Sequence, residues 1–213
     1  MHMLIKGLSK VASRYAPSRP LSFDVVHIFK TLQMIEKSGH VSRASLGEGL
    51  ALGQGVIRTL VKHMQRANLI NTTNGGTKMT RKGAAVYAEL VQAIPAEVSL
   101  PSCSVAIGKF NYAVILKSLS YAIKSGVEQR DAAIKLGATG ATTLLFHDSR
   151  FSMPNSSADS LLNEPKVKEA LLKNLSPEDG DAIIIGSSDE SQIISELAAK
   201  HAALFTLRAH EKH

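Results

Sequence analysis

Three residues, Asn74-Gly75-Gly76, limit the fold of the first half of this chain more than any others. They sit at the centre of "LINTTNGGTKMT", a short β-branched stretch, and can supply the positive φ angles of a tight hairpin turn. Sequence on both sides has helical periodicity. In "LSFDVVHIFKTLQMIEKSG" the apolar residues Val25, Ile28, Phe29, Leu32 and Ile35 share a face, Ser22 is a candidate N-cap, and Gly39 stands at a C-terminal stop. "SRASLGEGLA" reads as a short second helix capped by Ser42, and "LGQGVIRTLVKHMQ" opens a third that runs to about Leu69. "TRKGAAVYAELVQAI" resumes a helix that Pro95 ends. The order helix, short helix, helix, hairpin, helix is that of a winged helix-turn-helix, with the hairpin as the wing.

The third helix has two unlike faces. Ile57, Leu60, Val61 and Met64 fall at i, i+3, i+4 and i+7, a buried stripe with Val56 at its edge. Gln54, Arg58, Lys62, Gln65 and Arg66 lie opposite, three cations and two amides with no carboxylate. Arg and Gln match the donor and acceptor pattern of guanine and adenine edges in the major groove, and the cations also suit phosphates. The second helix of a helix-turn-helix enters the groove N-terminus first, which brings Gln54, Gly55, Arg58, Thr59 and Lys62 into reach. Gly53 and Gly55 would let the turn lie close to another backbone. Arg43 on the short helix, Asn74 and Lys78 on the wing, and Arg81 with Lys82 beside it complete the candidate DNA contacts. The plain alternative is a solvated face on an ordinary helical bundle.

Charge supports the first reading. Residues 1–95 hold 13 Lys/Arg against 4 Asp/Glu, +9, whereas residues 96–213 carry −2, so all the excess of the +7 chain is in the first half. Such asymmetry suits a polyanion, nucleic acid before an anionic membrane surface. No apolar run approaches the roughly 20 residues that span a bilayer, and "MLI" is too short for a signal-peptide core. With Cys103 as the single cysteine, a cytoplasmic location is expected.

Beyond "PAEVSLPS" the pattern changes. "SVAIGKF" (104–110) reads as a strand, "NYAVILKSLSYAI" (111–123) as a long apolar helix and candidate dimer interface, and "VEQRDAAIKLG" as a helix stopped at Gly137. "ATTLLFHDSRFSMP" reads as a strand, a turn at His147-Asp148-Ser149 and a return strand. "PKVKEALLKNL" is helical, "DAIIIGSS" a buried strand and "DESQIISELAAKHAALFTL" a final amphipathic helix, with His210 and His213 in a frayed tail. Strands alternating with helices predict a small α/β domain with a mostly parallel or mixed sheet, making the whole chain α+β.

"SLGEGLALGQGVIRTLVKHMQRANLI…GGTKMTRKG" resembles the winged-helix domains of bacterial and archaeal regulators, in particular the type at the N-terminus of the central glycolytic gene regulator. Ser42-Arg43 stands where that family usually shows a Gly-Arg pair. "GVEQRDAAIKLGATGATTLLF" (126–146) resembles an uncharacterised domain fused to such winged helices in archaeal proteins, a family without an assigned chemistry. The expected layout is a basic arm at 1–21, a DNA-binding winged helix at 22–95, a linker at 96–103 and an effector-binding or dimerisation domain at 104–209.

In that last domain Glu128, Arg130 and Asp131, followed by Thr142 and Thr143, offer a candidate pocket for a small anionic effector. Internal pairing of Arg130 with its acidic neighbours is the structural alternative. Ser187, in "IIIGSSDES", lies between a strand and a helix where anions bind in α/β sheets; Ser187, Ser188 or Asp189 equally suits the helix cap. No cofactor, metal ligand set or catalytic residue is expected: Cys103 reads as a spacer thiol, the histidines lack metal spacing, and "GQGVIR" is not a full GxGxxG. The expected protein is a DNA-binding transcription regulator acting as a homodimer on double-stranded DNA. An enzyme acting on a phosphorylated or carboxylated metabolite, and a module that docks protein or RNA, are the rivals.

Overall fold

The computed structural model describes residues 2–13 and 21–209. The chain divides into two units, Met1–Leu90 and Val91–His213. Residue 1 and residues 14–20 of the expected arm, and His210 and His213 of the expected tail, lie outside the described residues.

The first unit begins with a helix where an irregular arm was expected: α1, His2–Val11, buries Ile5 and Leu8. Helix α2, Val25–Ser38, is capped by Asp24 rather than Ser22. The Asp24 side chain accepts from the Val25 N–H, and His27 Nδ1 accepts from the Asp24 N–H at 2.9 Å, a reciprocal box that Ser22 lies too far back to form. Gly39 closes α2 at φ +71°. Helix α3, Arg43–Leu50, starts at Ser42, whose hydroxyl accepts from the Ser45 N–H. Helix α4, Gln54–Arg66, ends earlier than the sequence suggests, because Asn68 turns the chain left-handed at φ +57°. Strands β1 (Ile70–Thr73) and β2 (Gly76–Met79) pair antiparallel as the hairpin, with Thr73 opposite Gly76. Of the three turn residues only Gly76 adopts a positive φ, +120°. Helix α5, Arg81–Ala93, follows. It lies so close to the preceding loop that a Cβ on Gly83 would sit 2.0 Å from the Leu69 carbonyl oxygen.

The core of this unit is the stripe predicted for α4, Ile57, Leu60, Val61 and Met64, closed by Phe29, Leu32, Ile35, Leu46, Leu50, Ile70 and Leu90. Removing side chains of this size from water contributes about 1.5–3 kcal/mol each, so the stripe alone fixes which side of α4 faces outward.

The second unit is a five-stranded sheet of order β3-β4-β7-β5-β6, and every pairing in it is antiparallel. This corrects the expected mostly parallel or mixed sheet. Strands β4 (Phe110–Leu116) and β5 (Gly140–His147) do run the same way, with helix α6 (Val127–Ile134) between them in the chain. They are not neighbours. The last strand, β7 (Ala182–Ser188), inserts between them and opposes both. Strand β3 (Glu97–Leu100) forms one edge within the expected linker, and β6 (Arg150–Ser152) the other.

Two further expectations fail here. The run 111–123 is no helix: its first part is β4, buried from Ala113 to Leu116 on both faces, and Ser120–Ala122 is one 3-10 turn. The dimer interface expected on that helix therefore has no basis. "SVAIGKF" is no strand but a loop across the end of the sheet, held where the Asn111 amide donates to the Gly108 carbonyl at 2.8 Å and the Lys109 N–H to Asp189 at 3.0 Å.

Helix α7 (Pro165–Leu175) covers one face through Val167, Leu171 and Leu175 over Leu144, Phe146, Ile183 and Ile185. Helix α8 (Gln192–Ala209) and α6 cover the other. Alanines 198, 199, 202 and 203 let α8 lie directly on β7, so that a Cβ on Gly186 would be 2.3 Å from the Ser195 carbonyl oxygen. Among the described residues no helix is long and apolar enough to cross a membrane.

Candidate nucleic-acid interface

With the apolar stripe of α4 buried, its polar side is exposed: Gln54, Arg58, Lys62, Gln65 and Arg66 are all open to solvent. Gln54, Arg58 and Lys62 are spaced by four, a single strip advancing about 6 Å per step. Among the described residues Arg58 and Lys62 form no ion pair, and α4 contains no carboxylate. Solvent therefore provides their only screening, and both are available to a polyanion.

Other candidates are less free. The Gln54 amide lies back over α3, with Nε2 3.3 Å from where a Cβ on Gly47 would stand. The Gln65 amide donates to the Thr72 hydroxyl on β1 at 3.1 Å. Half-buried Thr59 donates back to the Gly55 carbonyl at 3.1 Å. Gly55, Val56 and Thr59 line, with Leu21, Ser22 and Phe23, a shallow cleft of about 170 Å³. The close backbone approach expected at Gly53 and Gly55 is absent among the described residues: a Cβ on either would meet nothing within 4 Å. That constraint belongs instead to Gly47, where a Cβ would sit 3.3 Å from the Leu52 carbonyl oxygen.

Arg43 begins α3, Asn74 and Lys78 lie on the wing, and Arg81 begins α5; all four are exposed. Lys78 stands opposite Asn71 on β2. Lys82 is spent closing α4, its ammonium donating to the Ala67 carbonyl at 2.9 Å. On the rear of α4, His63 is buried: its ring meets Phe23 edge-on at 5.4 Å, and Nδ1 lies 2.7 Å from the Val11 carbonyl oxygen of α1.

In the second unit the six candidate effector residues do not converge. Arg130 pairs with Asp131 at 3.3 Å, both exposed, and Glu128 is exposed on the first turn of α6. Thr142 and Thr143, being consecutive on β5, point to opposite faces. The Thr142 hydroxyl donates to the Val105 carbonyl at 2.6 Å, and the buried Thr143 hydroxyl lies beneath Gly126 with no hydrogen-bond partner among the described residues. Ser187 is fully buried and donates to Asn111 Oδ1 at 2.8 Å. The cap of α8 is Ser191, whose hydroxyl accepts from the Ile194 N–H, because Ser187 and Ser188 still belong to β7 and Asp189 holds Lys109.

For a third constellation in this unit the only spacing signal is the i,i+4 pair Glu196 and Lys200. Lys200 on α8 is fully buried between Glu97 on β3, at 2.9 Å, and Glu196 one turn back, and the Tyr112 hydroxyl donates to Glu97 at 2.9 Å. Burial and the two carboxylates push the Tyr112 phenol far above its ordinary range, so it stays a donor. Cys103 is half-buried in the loop after β3, its thiol pushed up by burial. His147, Asp148 and Asp179 form an exposed trio at the β5–β6 turn, with His147 Nδ1 3.0 Å from Asp179.

Residues 25–94 match the family model described as the CggR N-terminal DNA binding domain, and residues 107–207 match a domain of unknown function, DUF4443. A winged helix is joined to an uncharacterised domain. The chain is also similar to a solved counterpart, a hypothetical protein from Pyrococcus horikoshii OT3. The counterpart is 25% identical, with a TM-score of 0.71, over 87% of this chain and 93% of the other. No curated protein matches. The CggR-like match spans α2 to α5, and the DUF4443 match spans β4 to α8.

Proposed function

We propose that this chain is a DNA-binding transcription regulator in which α4 reads base edges and the wing holds the backbone. The observation that carries it is the outward strip of α4, where Arg58 and Lys62 stand exposed without ion-pair partners on a helix free of carboxylates. Arg58 takes the base-reading role through its bidentate fork, and Lys62, Arg43, Lys78 and Arg81 bind phosphates. The match to a DNA-binding domain model supports the same assignment. The second unit serves as the partner or effector domain, with Thr143 beneath Gly126 the polar group in it best suited to a ligand. A homodimer on a twofold operator follows from the general match between helix-turn-helix symmetry and DNA.

Fluorescence anisotropy of labelled duplexes, covering upstream and scrambled sequences over a salt series, tests the reading. Affinity should fall steeply with salt and favour one upstream sequence. Absence of binding to any duplex at low salt removes the proposal.

A further inference from the structure

Apart from the α4 strip, the first unit has a second polar surface that the reading above leaves unused. Between the last turn of α2, the start of α3 and the wing turn opens a cleft of about 600 Å³, lined by Lys37, His40, Ser42, Ser45 and Gly75 among others, with no carboxylate in its walls. Lys37, His40, Ser42 and Ser45 are all exposed.

The cleft has fixed walls. Val41, at the α2–α3 junction, exchanges two backbone hydrogen bonds with Thr77 on β2, at 3.0 and 2.9 Å. A Cβ on Gly76 would sit 3.0 Å from the Val41 carbonyl oxygen and 3.5 Å from the His40 ring, so the base of the wing is seated against the junction. The Ser42 hydroxyl is held by the Ser45 N–H at 3.0 Å and lies 2.9 Å from the Ser45 hydroxyl. These contacts leave the Lys37 ammonium and the His40 ring as the groups free to engage something in the cleft.

We infer that this cleft seats a backbone phosphate of duplex DNA, independent of the base-reading strip on α4. The inference rests on the DNA-binding reading. Two features favour a polymer backbone over a free anion. The cleft is open and larger than a phosphate group needs, so sugars can enter and leave on either side, whereas small-ligand sites enclose most of their ligand. Its donors are also long or planar side chains, Lys37 on the last turn of α2 and His40 on the junction after it, suited to a phosphodiester whose position is set elsewhere, by α4. Lys37 and His40 thereby help hold the register in which Arg58 meets a base.

Lys37→Gln and His40→Gln, each made in the full chain, are compared with wild type on the upstream and the scrambled duplex across a salt series. Lys37→Gln should weaken both duplexes by the same several-fold factor and reduce the slope of log affinity against log salt by about one. His40→Gln should weaken both by a smaller common factor. Since both residues are exposed, thermal midpoints should stay at the wild-type value; Lys37→Arg, which keeps the charge, should restore affinity and slope. If wild type binds no duplex, the DNA reading itself falls, and this inference with it. If wild type binds while both Gln variants match it in affinity and slope, only the cleft assignment is overturned. A loss confined to one sequence overturns it too, by making the contact a base contact. A separate titration with inorganic phosphate should leave the His40 and Ser45 resonances unmoved below millimolar concentration; saturation there, abolished by Lys37→Gln, would assign the cleft to a free anion instead.

Discussion

The Gln65 amide donates to the Thr72 hydroxyl at 3.1 Å, joining the outward face of α4 to the first strand of the wing. An amide on that strip would otherwise be a candidate for adenine, but its hydrogens are scarce and one is already committed to the protein. Gln65 therefore acts through the wing. Gln65→Ala and Thr72→Val should weaken DNA binding to the same few-fold extent, and the double variant by no more than either alone. Stability should change by less than about 1 kcal/mol, since the bond is exposed. Altered sequence choice in Gln65→Ala without the same change in Thr72→Val would make Gln65 a base reader after all.

Arg58 and Lys78 should separate cleanly in a binding assay. Arg58→Ala should cost the preferred duplex about 1–3 kcal/mol and leave scrambled DNA little affected, because a bidentate base contact is lost. Lys78→Ala should weaken all duplexes alike and lower the salt slope by about one. Equal losses on every sequence for both variants would remove Arg58 from the base-reading role.

Two glycines with opposite surroundings give opposite expectations. At Gly186 a methyl group would enter the α8 backbone, 2.3 Å from the Ser195 carbonyl oxygen and 2.6 Å from the Ala199 nitrogen, so Gly186→Ala should destabilise the second unit by about 1–3 kcal/mol or more. At Gly55 the same methyl meets open space on a helix, and Gly55→Ala should stabilise by up to about 1 kcal/mol. Chemical denaturation measures both. A Gly55→Ala protein that is more stable yet poorer at binding DNA would place a duplex backbone against the start of α4.

Acid should act on the second unit through Asp159. Burial alone would raise its carboxyl, but the hydrogen bond from Lys168 at 2.6 Å, the Leu161 N–H and the lysine charge outweigh that and hold it below the ordinary value near 3.8. A carboxylate depressed in the folded state stabilises above that ordinary value, and the stability is lost as pH falls through and below it. Lys168→Met should flatten this acid-dependent loss, by about 1 kcal/mol at most for a partly exposed pair. An unchanged acid limb in denaturant midpoints between pH 5 and 3, within the usual carboxylate range, would show that the pair is energetically silent.

The legible parts of the sequence were those where one face alone is buried. The helices of the first unit alternate apolar and polar every three or four residues, so their phase, and with it the outward set on α4, follows from Ile57, Leu60, Val61 and Met64. Phe110–Leu116 lacks that contrast. From Ala113 to Leu116 its residues are buried on both sides, and an apolar run buried all round looks alike as strand or helix. The sheet direction was hidden for a different reason: whether β4 and β5 touch depends on β7, which begins at Ala182, well past the end of β5 at His147. At the candidate site, the exposure of Arg58 and Lys62 could be read from spacing. The diversion of Gln65 to Thr72 and the cleft beside Lys37 and His40 could not, since both depend on where the wing folds back.

The placement of β7 has a consequence for how the chain comes to be made. The strand that β4, β5 and α8 all pack against is the last strand of the second unit to emerge during synthesis. Until residue 188 is available, β4 and β5 have no common neighbour, and the five-stranded sheet is split in two. The winged helix, built from contacts near in sequence, can finish well before that point. A chain stopped before residue 188 would thus carry a completed winged helix on an unfinished, sticky body.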